Sequence, residues 1–508
     1  MPRKGSILLT QGLDVSKPAT YIGEQSSPDV QNFTVDQGLL TKRIGTTVRG
    51  GIVGGTDIEI MIGTEFDREG TKYNVRIARD KIERYNAGTE LWVDITGSDL
   101  TGGTDDLISV AVPMLSGKRI LCITNGIDNI RKWTATGNTA DLGGSPPKAK
   151  YIQEYETYLV CANITGGVDV TQRVQWCDTA DPEEWTTGNS GSVDLIEDGE
   201  DITGLNIFGN FICVHKRSSI YLGTLVSSNA IFQFDRLGTE VGTVANGSIV
   251  NLPTSEQIFL AQDGLRLFNG VTASLIDSPI NEEIRDSLNK DNMHKAWGVL
   301  VLEKDEVWVG LPIGDQTVGA TVYKFNYVTR VLYKDVRADV NACWRATQTT
   351  SDTWDDTIGT WNDSTSRWND GQLGASSQRI HFGKTNGYTE IQNTGAVDDN
   401  GTTIDAFWES KDFTGDSLGQ LIRWQELLLW AKGSGTLTAE YSTDEGETWT
   451  SFTNSPFTLS DVFPLDSSPM KGYMDVVSTK VRVRFRHNNT GSCQIKQFTV
   501  AYVEREYI

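Results

Sequence analysis

Ile258-Phe-Leu-Ala-Gln-Asp-Gly-Leu-Arg-Leu-Phe-Asn-Gly270 is the stretch that decides the architecture of this 508-residue chain. Two apolar runs flank an Asp-Gly pair, the strongest short-range signal of a β-hairpin. The same unit returns at Arg76-Ile-Ala-Arg-Asp-Lys-Ile-Glu-Arg-Tyr85, at Phe211-Ile-Cys-Val-His-Lys-Arg-Ser-Ser-Ile-Tyr221 and at His381-Phe-Gly-Lys-Thr-Asn-Gly-Tyr388. From about residue 52 to 391, units of this kind recur at roughly the 40–50-residue spacing of propeller blades, which predicts about seven of them. The expected fold is all-β: a β-propeller-like domain of about six to eight blades over 52–401, an N-terminal arm over 1–51 and a C-terminal β-sandwich over 402–508.

The composition suits this reading. Hydrophobic residues make up 38% of the chain beside 51 Gly and 14 Trp, a turn-rich balance that favours strands over helices. One segment reads as helix: after Ser278-Pro, the residues Ile280, Ile284 and Leu288 repeat at i, i+4, i+8 and share one face. The arm is polar and irregular, with Pro28-Asp-Val-Gln-Asn32 and Lys42-Arg-Ile-Gly45 framing a segment expected to dock on a neighbour. Beyond residue 402, Ile404-Asp-Ala-Phe-Trp-Glu-Ser410, Glu426-Leu-Leu-Leu-Trp430, Leu437-Thr-Ala-Glu-Tyr441 and Lys480-Val-Arg-Val-Arg-Phe485 alternate or run apolar as sandwich strands do. The basic stripe of Val481-Arg-Val-Arg-Phe-Arg486 reads as a charged edge or solvent face.

Net charge excludes some partners. At −22 the chain has no broad basic surface with which to grip nucleic acid, since Lys and Arg supply that affinity. Between Asp178 and Asp201 there is no Lys or Arg, whereas Asp194, Glu197, Asp198, Glu200 and Asp201 close the stretch. Such a block is ordinarily a solvated loop; its sharper reading is a repulsive wall that keeps a polyanion moving. Cys122, Cys161, Cys177, Cys213, Cys343 and Cys493 are scattered, most of them inside apolar strands, and the four His lie far apart. They read as buried small hydrophobes of a reducing cytosol, with no metal site, no cofactor, no secretion signal and no membrane-spanning run.

Two local motifs remain. Trp354-Asp-Asp, Trp361-Asn-Asp and Trp368-Asn-Asp repeat every seven residues without an apolar a/d seam, so 352–371 reads as a projecting contact loop and not a coiled coil. Ser442-Thr-Asp-Glu-Gly-Glu-Thr-Trp449 matches the Asp box of sialidases and many other β proteins. Asp444 can accept backbone N–H bonds, Gly446 can take positive φ, and Trp449 can plug the base of the turn, so the box marks a fold and not an activity. Nothing else nominates a nucleophile: GxSxG, P-loop, post-strand GxGxxG and HExxH are all missing from the sequence. The chain is expected not to be an enzyme.

Several phrases together resemble one family. Ser27-Pro-Asp-Val-Gln-Asn-Phe-Thr-Val-Asp-Gln-Gly-Leu-Leu-Thr-Lys-Arg-Ile-Gly45 is similar to the opening of tailed-bacteriophage tail-hub proteins, where an N-x5-G-x-L-x2-R-x-G stretch precedes the first blade. Arg173-Val-Gln-Trp-Cys-Asp-Thr-Ala-Asp-Pro-Glu-Glu-Trp185 resembles their R-x2-W-S-x3-D-P-x2-W phrase, with Cys177 where Ser is more usual. Asp201-Ile-Thr-Gly-Leu with Phe211 to Tyr221 resembles the blade that follows. The likeness covers about residues 20–345 and continues more loosely into the sandwich. The family is that of podovirus nozzle, or packaged-DNA-stabilisation, proteins and related neck and tail proteins. The resemblance implies a structural virion protein made in the host cytoplasm. It would assemble as a homo-oligomeric ring, commonly six copies, below the portal and adaptor, retaining packaged double-stranded DNA and conducting it during ejection without sequence recognition. On that expectation Asp194, Glu197, Asp198, Glu200 and Asp201 would line the DNA channel, while Pro28, Asn32, Lys42, Arg43 and Gly45 would belong to the docking arm. The alternative is a tail adsorption protein that binds a host-surface glycan or receptor through Trp354, Trp361, Trp368 and the sandwich.

Overall fold

The computed structural model describes residues 7–9, 11–167, 169–226, 231–276, 280–348, 377–393, 395–415 and 419–504. Seven four-stranded antiparallel sheets follow one another through them. Blade 1 starts at Ile60–Arg68, blade 2 at Ser109–Ala111, blade 3 at Lys148–Tyr155, blade 4 at Ile202–Phe208, blade 5 at Val250–Asn251, blade 6 at Trp297–Val301 and blade 7 at Val340–Gln348. Apolar side chains fill the space between successive sheets. Phe66 and Val75 meet Leu121 and Trp133 between blades 1 and 2, and Trp308 and Val322 meet Val340 and Phe382 between blades 6 and 7. Ile60 and Ala78 meet Ala342 and Trp344 between blades 7 and 1, so the ring closes. The chain is an all-β propeller of seven sheets with a β-sandwich attached.

The hairpins read in the sequence are the second and third strands of blades 1, 4, 5 and 7. In blade 5, Ala261 pairs with Gly264, so the two-residue loop is Gln262–Asp263 and Gly264 already belongs to the returning strand. Its lack of a side chain answers two needs: a φ of 129° and a close neighbour. A Cβ on Gly264 would lie 2.6 Å from Asn281 Oδ1, which accepts the Leu265 amide. That asparagine sits in the helix Ile280–Ser287, where Ile280 and Ile284 are buried; Leu288, just beyond it, is buried too.

The N-terminal segment is not a free arm. Thr46–Val48 is the outermost strand of blade 7, with Glu390 opposite Val48 and Gln392 opposite Thr46. Phe33–Asp36 and Leu39–Lys42 form a hairpin that joins Cys493–Glu504, and Ile7–Leu8 pairs with that same strand. Val30–Gln31 pairs with Ala406–Glu409 in the opposite sheet. The sandwich therefore consists of a six-stranded and a seven-stranded sheet, each containing arm strands. One apolar core runs from arm residues Leu13 and Phe33 through Leu260 and Tyr323 of the propeller to Trp408 and Phe498 of the sandwich. The expected boundaries at 51 and 402 divide the sequence, but this core crosses both.

Among the described residues no helix is long and apolar enough to cross a membrane. All six cysteines are free, and Cys343 alone is not fully buried.

Candidate functional site

The first strand of each blade borders a central cavity of about 500 Å³, to which Glu65, Ser109, Lys150, Asn206, Asn251, Trp297 and Asn341 contribute one from each blade. Most of its polar groups are already engaged. Glu65 pairs with Lys72 at 3.0 Å, Arg345 with Glu303 at 2.7 Å and Lys295 with Asp105 at 2.8 Å. Asn341 Nδ2 donates to Ile60 O at 3.1 Å, and Asn246 Oδ1 accepts Leu205 N at 3.0 Å. No nucleophile is held against a base here among the described residues. The size also excludes one role. A duplex roughly 20 Å across has a section of roughly 300 Å², so the cavity equals less than ~2 Å of its length. A conduit for duplex DNA would have to lie between subunits.

The acidic run Asp194 to Asp201 forms the passage from the outermost strand of blade 3, Gly191–Asp194, to the innermost strand of blade 4. Its acids are struts more than a wall. Arg173 clasps Asp194 at 2.6 and 2.9 Å and holds its carboxyl below the usual range. Asp198 accepts the ammonium of fully buried Lys216, the hydroxyl of Ser219 and, at 3.3 Å, that of Tyr221. Burial opposes ionisation of Asp198, but the bonds from Lys216 and Ser219 outweigh it and depress its pKa. Glu200 accepts Ser218 N and Oγ, each at 2.8 Å, and Asp201 accepts Thr171 Oγ1. Asp194, Glu197 and Asp201 are exposed, while Asp198 and Glu200 are half-buried. Removing the Asp198 carboxylate would leave the buried Lys216 ammonium without its counter-ion, which is strongly destabilising.

The two family-like phrases likewise resolve into framework. In the first, Asn32 takes a left-handed φ of 58°, and its Oδ1 accepts Arg43 Nε at 2.8 Å. Gly38, at φ 78°, turns the hairpin, and Leu40 is buried in the core. Arg43 forks onto Asp399, while Gly45 lies so close to Asp398 that a Cβ would sit 1.8 Å from its carbonyl oxygen. Asn32, Lys42, Arg43 and Gly45 are buried and Pro28 half-buried, so these residues hold this chain's own sandwich and propeller together. In the second phrase, Trp176 Nε1 donates to Asn189 O at 2.9 Å and Trp185 Nε1 to Pro182 O at 2.8 Å, with both indoles buried.

The Asp box closes as its residue types require. Ser442 Oγ donates to Asp444 Oδ1 at 2.6 Å and accepts Gly446 N at 2.9 Å. Asp444 also takes Thr448 N and Oγ1, and the Ser442 and Thr448 bonds pull its carboxyl down to about 2. Gly446 stands at φ 99°, and the Trp449 ring lies under the Arg484 guanidinium at 4.1 Å. The basic strand Lys480–His487 is interior to its sheet, not an edge. Arg482 pairs with Asp412, Arg484 with Glu440 and Arg486 with Asp405, while Val481, Val483 and Phe485 face the core. Trp354, Trp361 and Trp368 lie outside the described residues.

Sequence reasoning missed the buried ionic cluster at the seam. Asp335, with no exposure, faces Lys324, Arg337 at 3.5 Å and Arg43 at 3.9 Å. Burial works to raise its pKa, but Lys324, Arg337 and Arg43 together hold it low. The available signal was a charge at an inward position, Asp335 lying two residues from buried Tyr333 in the strand Leu332–Val336. Among the described residues no group of His, Cys, Asp and Glu is arranged to hold a metal ion.

No protein-family model matches the chain, and no curated protein does. Among solved structures it is similar to BamB from Moraxella catarrhalis, with 11% identity and a TM-score of 0.33, over 66% of this chain and 98% of that one. It is also similar to the extracellular domain of the hybrid two-component system BT4673 from B. thetaiotaomicron, with 13% identity and a TM-score of 0.34, over 58% of this chain but only 38% of that one. Likeness at this level concerns shape and says nothing about ligands or assembly; the propeller assignment rests on the seven sheets themselves.

Proposed function

We propose that the chain is a non-enzymatic structural subunit of a tailed-phage virion. It assembles into a ring below the portal and adaptor, and DNA passes through the bore between the copies. The observation that carries this reading is the 27–45 phrase. Each of its family-like positions has a distinct task in fastening the first residues to the propeller and the sandwich, so the resemblance rests on a whole structural device. Two further features support it. The cavity inside the propeller, at about 500 Å³, is the size of a small-molecule pocket and not of a DNA conduit. A net charge of −22 disfavours adhesion of passing phosphates.

Cryo-EM of the purified protein, alone and mixed with portal and adaptor, tests the proposal. A closed ring with a bore of roughly 20 Å or more is the expected result, wide enough for a duplex whose major groove alone is about 12 Å wide. A monomer that never joins the assembly overturns it.

A further inference from the structure

The arm stretch around Ser27 to Asn32 is clamped between two bodies. On the propeller side, Asn32 N donates to Lys334 O at 3.0 Å, and Lys334 Nζ reaches Asp29 at 2.9 Å and Glu283 at 3.3 Å. On the sandwich side, Glu409 N donates to Asp29 O at 3.0 Å, Ser27 Oγ donates to Glu409 O at 2.8 Å, and Val30 pairs with Trp408.

The Glu409 side chain is only 10% exposed at this junction, and its cations are committed elsewhere. Arg482 gives its Nε to Asp412 at 2.8 Å, and Arg484 gives two nitrogens to Glu440 at 2.7 and 2.9 Å. What remains for Glu409 is one long contact from each arginine, at 3.4 and 3.8 Å. Across the seam the acids are Asp29, Glu283, Glu409, Asp412 and Glu440, and the bases are Lys334, Arg482 and Arg484. Five carboxylates share three cations. Arg486 is held by Asp405 and adds nothing to this group.

We propose that Glu409 is a proton-operated latch between the N-terminal arm and the sandwich: protonated, it lets the arm seat; ionised, it repels Asp29 and loosens the arm. Protonating Glu409 removes the most weakly partnered buried charge in the cluster and costs no strong bond. Burial and then Asp29 raise its carboxyl to about 7, with Arg482 and Arg484 only partly offsetting them. The sign follows from the binding of protons. The seated arm holds a proton that an open arm releases nearer the ordinary value of 4.5, so seating is favoured at low pH and weakens as pH rises toward 7. The latch is independent of the tail reading.

Hydrogen exchange of the full-length protein between pH 5.5 and 8, corrected for intrinsic rates, tests it on peptides covering 24–34 and 405–413. Protection of both is expected to fall about 20- to 30-fold over that range, while the central sandwich strand Ile422–Gly433 stays unchanged. In Glu409→Gln, protection of the two peptides should no longer depend on pH; in Asp29→Asn, loss of the repulsion lowers the Glu409 carboxyl toward its ordinary value, so the fall should shrink and end at lower pH. Flat protection in the wild type overturns the latch. So does an unchanged fall in Glu409→Gln, or, should that variant not fold, a fall in Asp29→Asn identical to that of the wild type.

Discussion

Arg43 grips Asp399 through two nitrogens, at 2.8 and 2.5 Å, and so ties the end of the arm hairpin to a residue 356 positions later in the chain. The same guanidinium holds Asn32 through Nε and stands 3.9 Å from Asp335. Arg43→Ala would leave the buried Asp335 and the half-buried Asp399 short of a cation. Breaking a buried pair in this way costs about 3–5 kcal/mol. Equilibrium denaturation should register that loss, and Arg43→Lys should recover only part of it, because an ammonium cannot form the fork.

Gly45 separates space from backbone freedom. Its Cβ would collide with the Asp398 carbonyl, whereas Gly38 has open space around it at φ 78°. Gly45→Ala should therefore destabilise the protein by more than the roughly 1 kcal/mol expected of Gly38→Ala, whose penalty is left-handed strain alone. Melting curves of the two variants make the comparison. Equal shifts would mean that the segment after Gly45 moves aside without cost.

A fragment of residues 402–508 should not fold by itself. Both of its sheets draw strands from the first 42 residues, and Phe33 and Leu40 lie in its core. The expected far-ultraviolet and NMR signatures are those of a collapsed, poorly packed chain, and a peptide of residues 1–50 added in trans should sharpen them. A fragment with dispersed resonances and a cooperative melt on its own would refute this.

His381 fixes the sign of one acid limb. Its Nε2 faces two donors, Arg49 Nη1 at 3.3 Å and Asn74 Nδ2 at 3.1 Å, so that nitrogen must accept and the ring must be neutral, with Nδ1 donating to Arg379 O. Burial, then Arg49, pushes its pKa down to about 3, and burial brings His215 to about 4. The unfolded chain takes these protons near 6.5, so stability should fall as pH drops from about 6.5 toward 3. Denaturation at stepped pH should show a shallower acid limb in His381→Gln, a substitution that keeps an acceptor without the titration. Glu409 acts with the opposite sign between 4.5 and about 7, so Glu409→Gln should steepen the same limb.

The repeated hairpins, the helix face of Ile280, Ile284 and Leu288, and the bonds of the Asp box were determined by the sequence itself, and hairpin spacing bracketed the blades at about six to eight. Each depends on residues within a few positions of one another, where period-two burial, period-3.6 burial and turn chemistry leave a readable pattern. Even so, the Asp-Gly signal at Asp263 was offset by one residue: the turn is Gln262–Asp263, and Gly264, at φ 129° and close to Asn281, opens the returning strand. The tertiary structure alone decided that Thr46–Val48 completes a blade begun at Val340, that Arg43 meets Asp399, that Asp198 serves Lys216, and that Glu409 is left with second-best partners. A contact between residues hundreds of positions apart imposes no periodicity on either segment. A charged residue also looks the same in sequence whether water or a buried counter-ion receives it, and only the packing that removes the water separates the two.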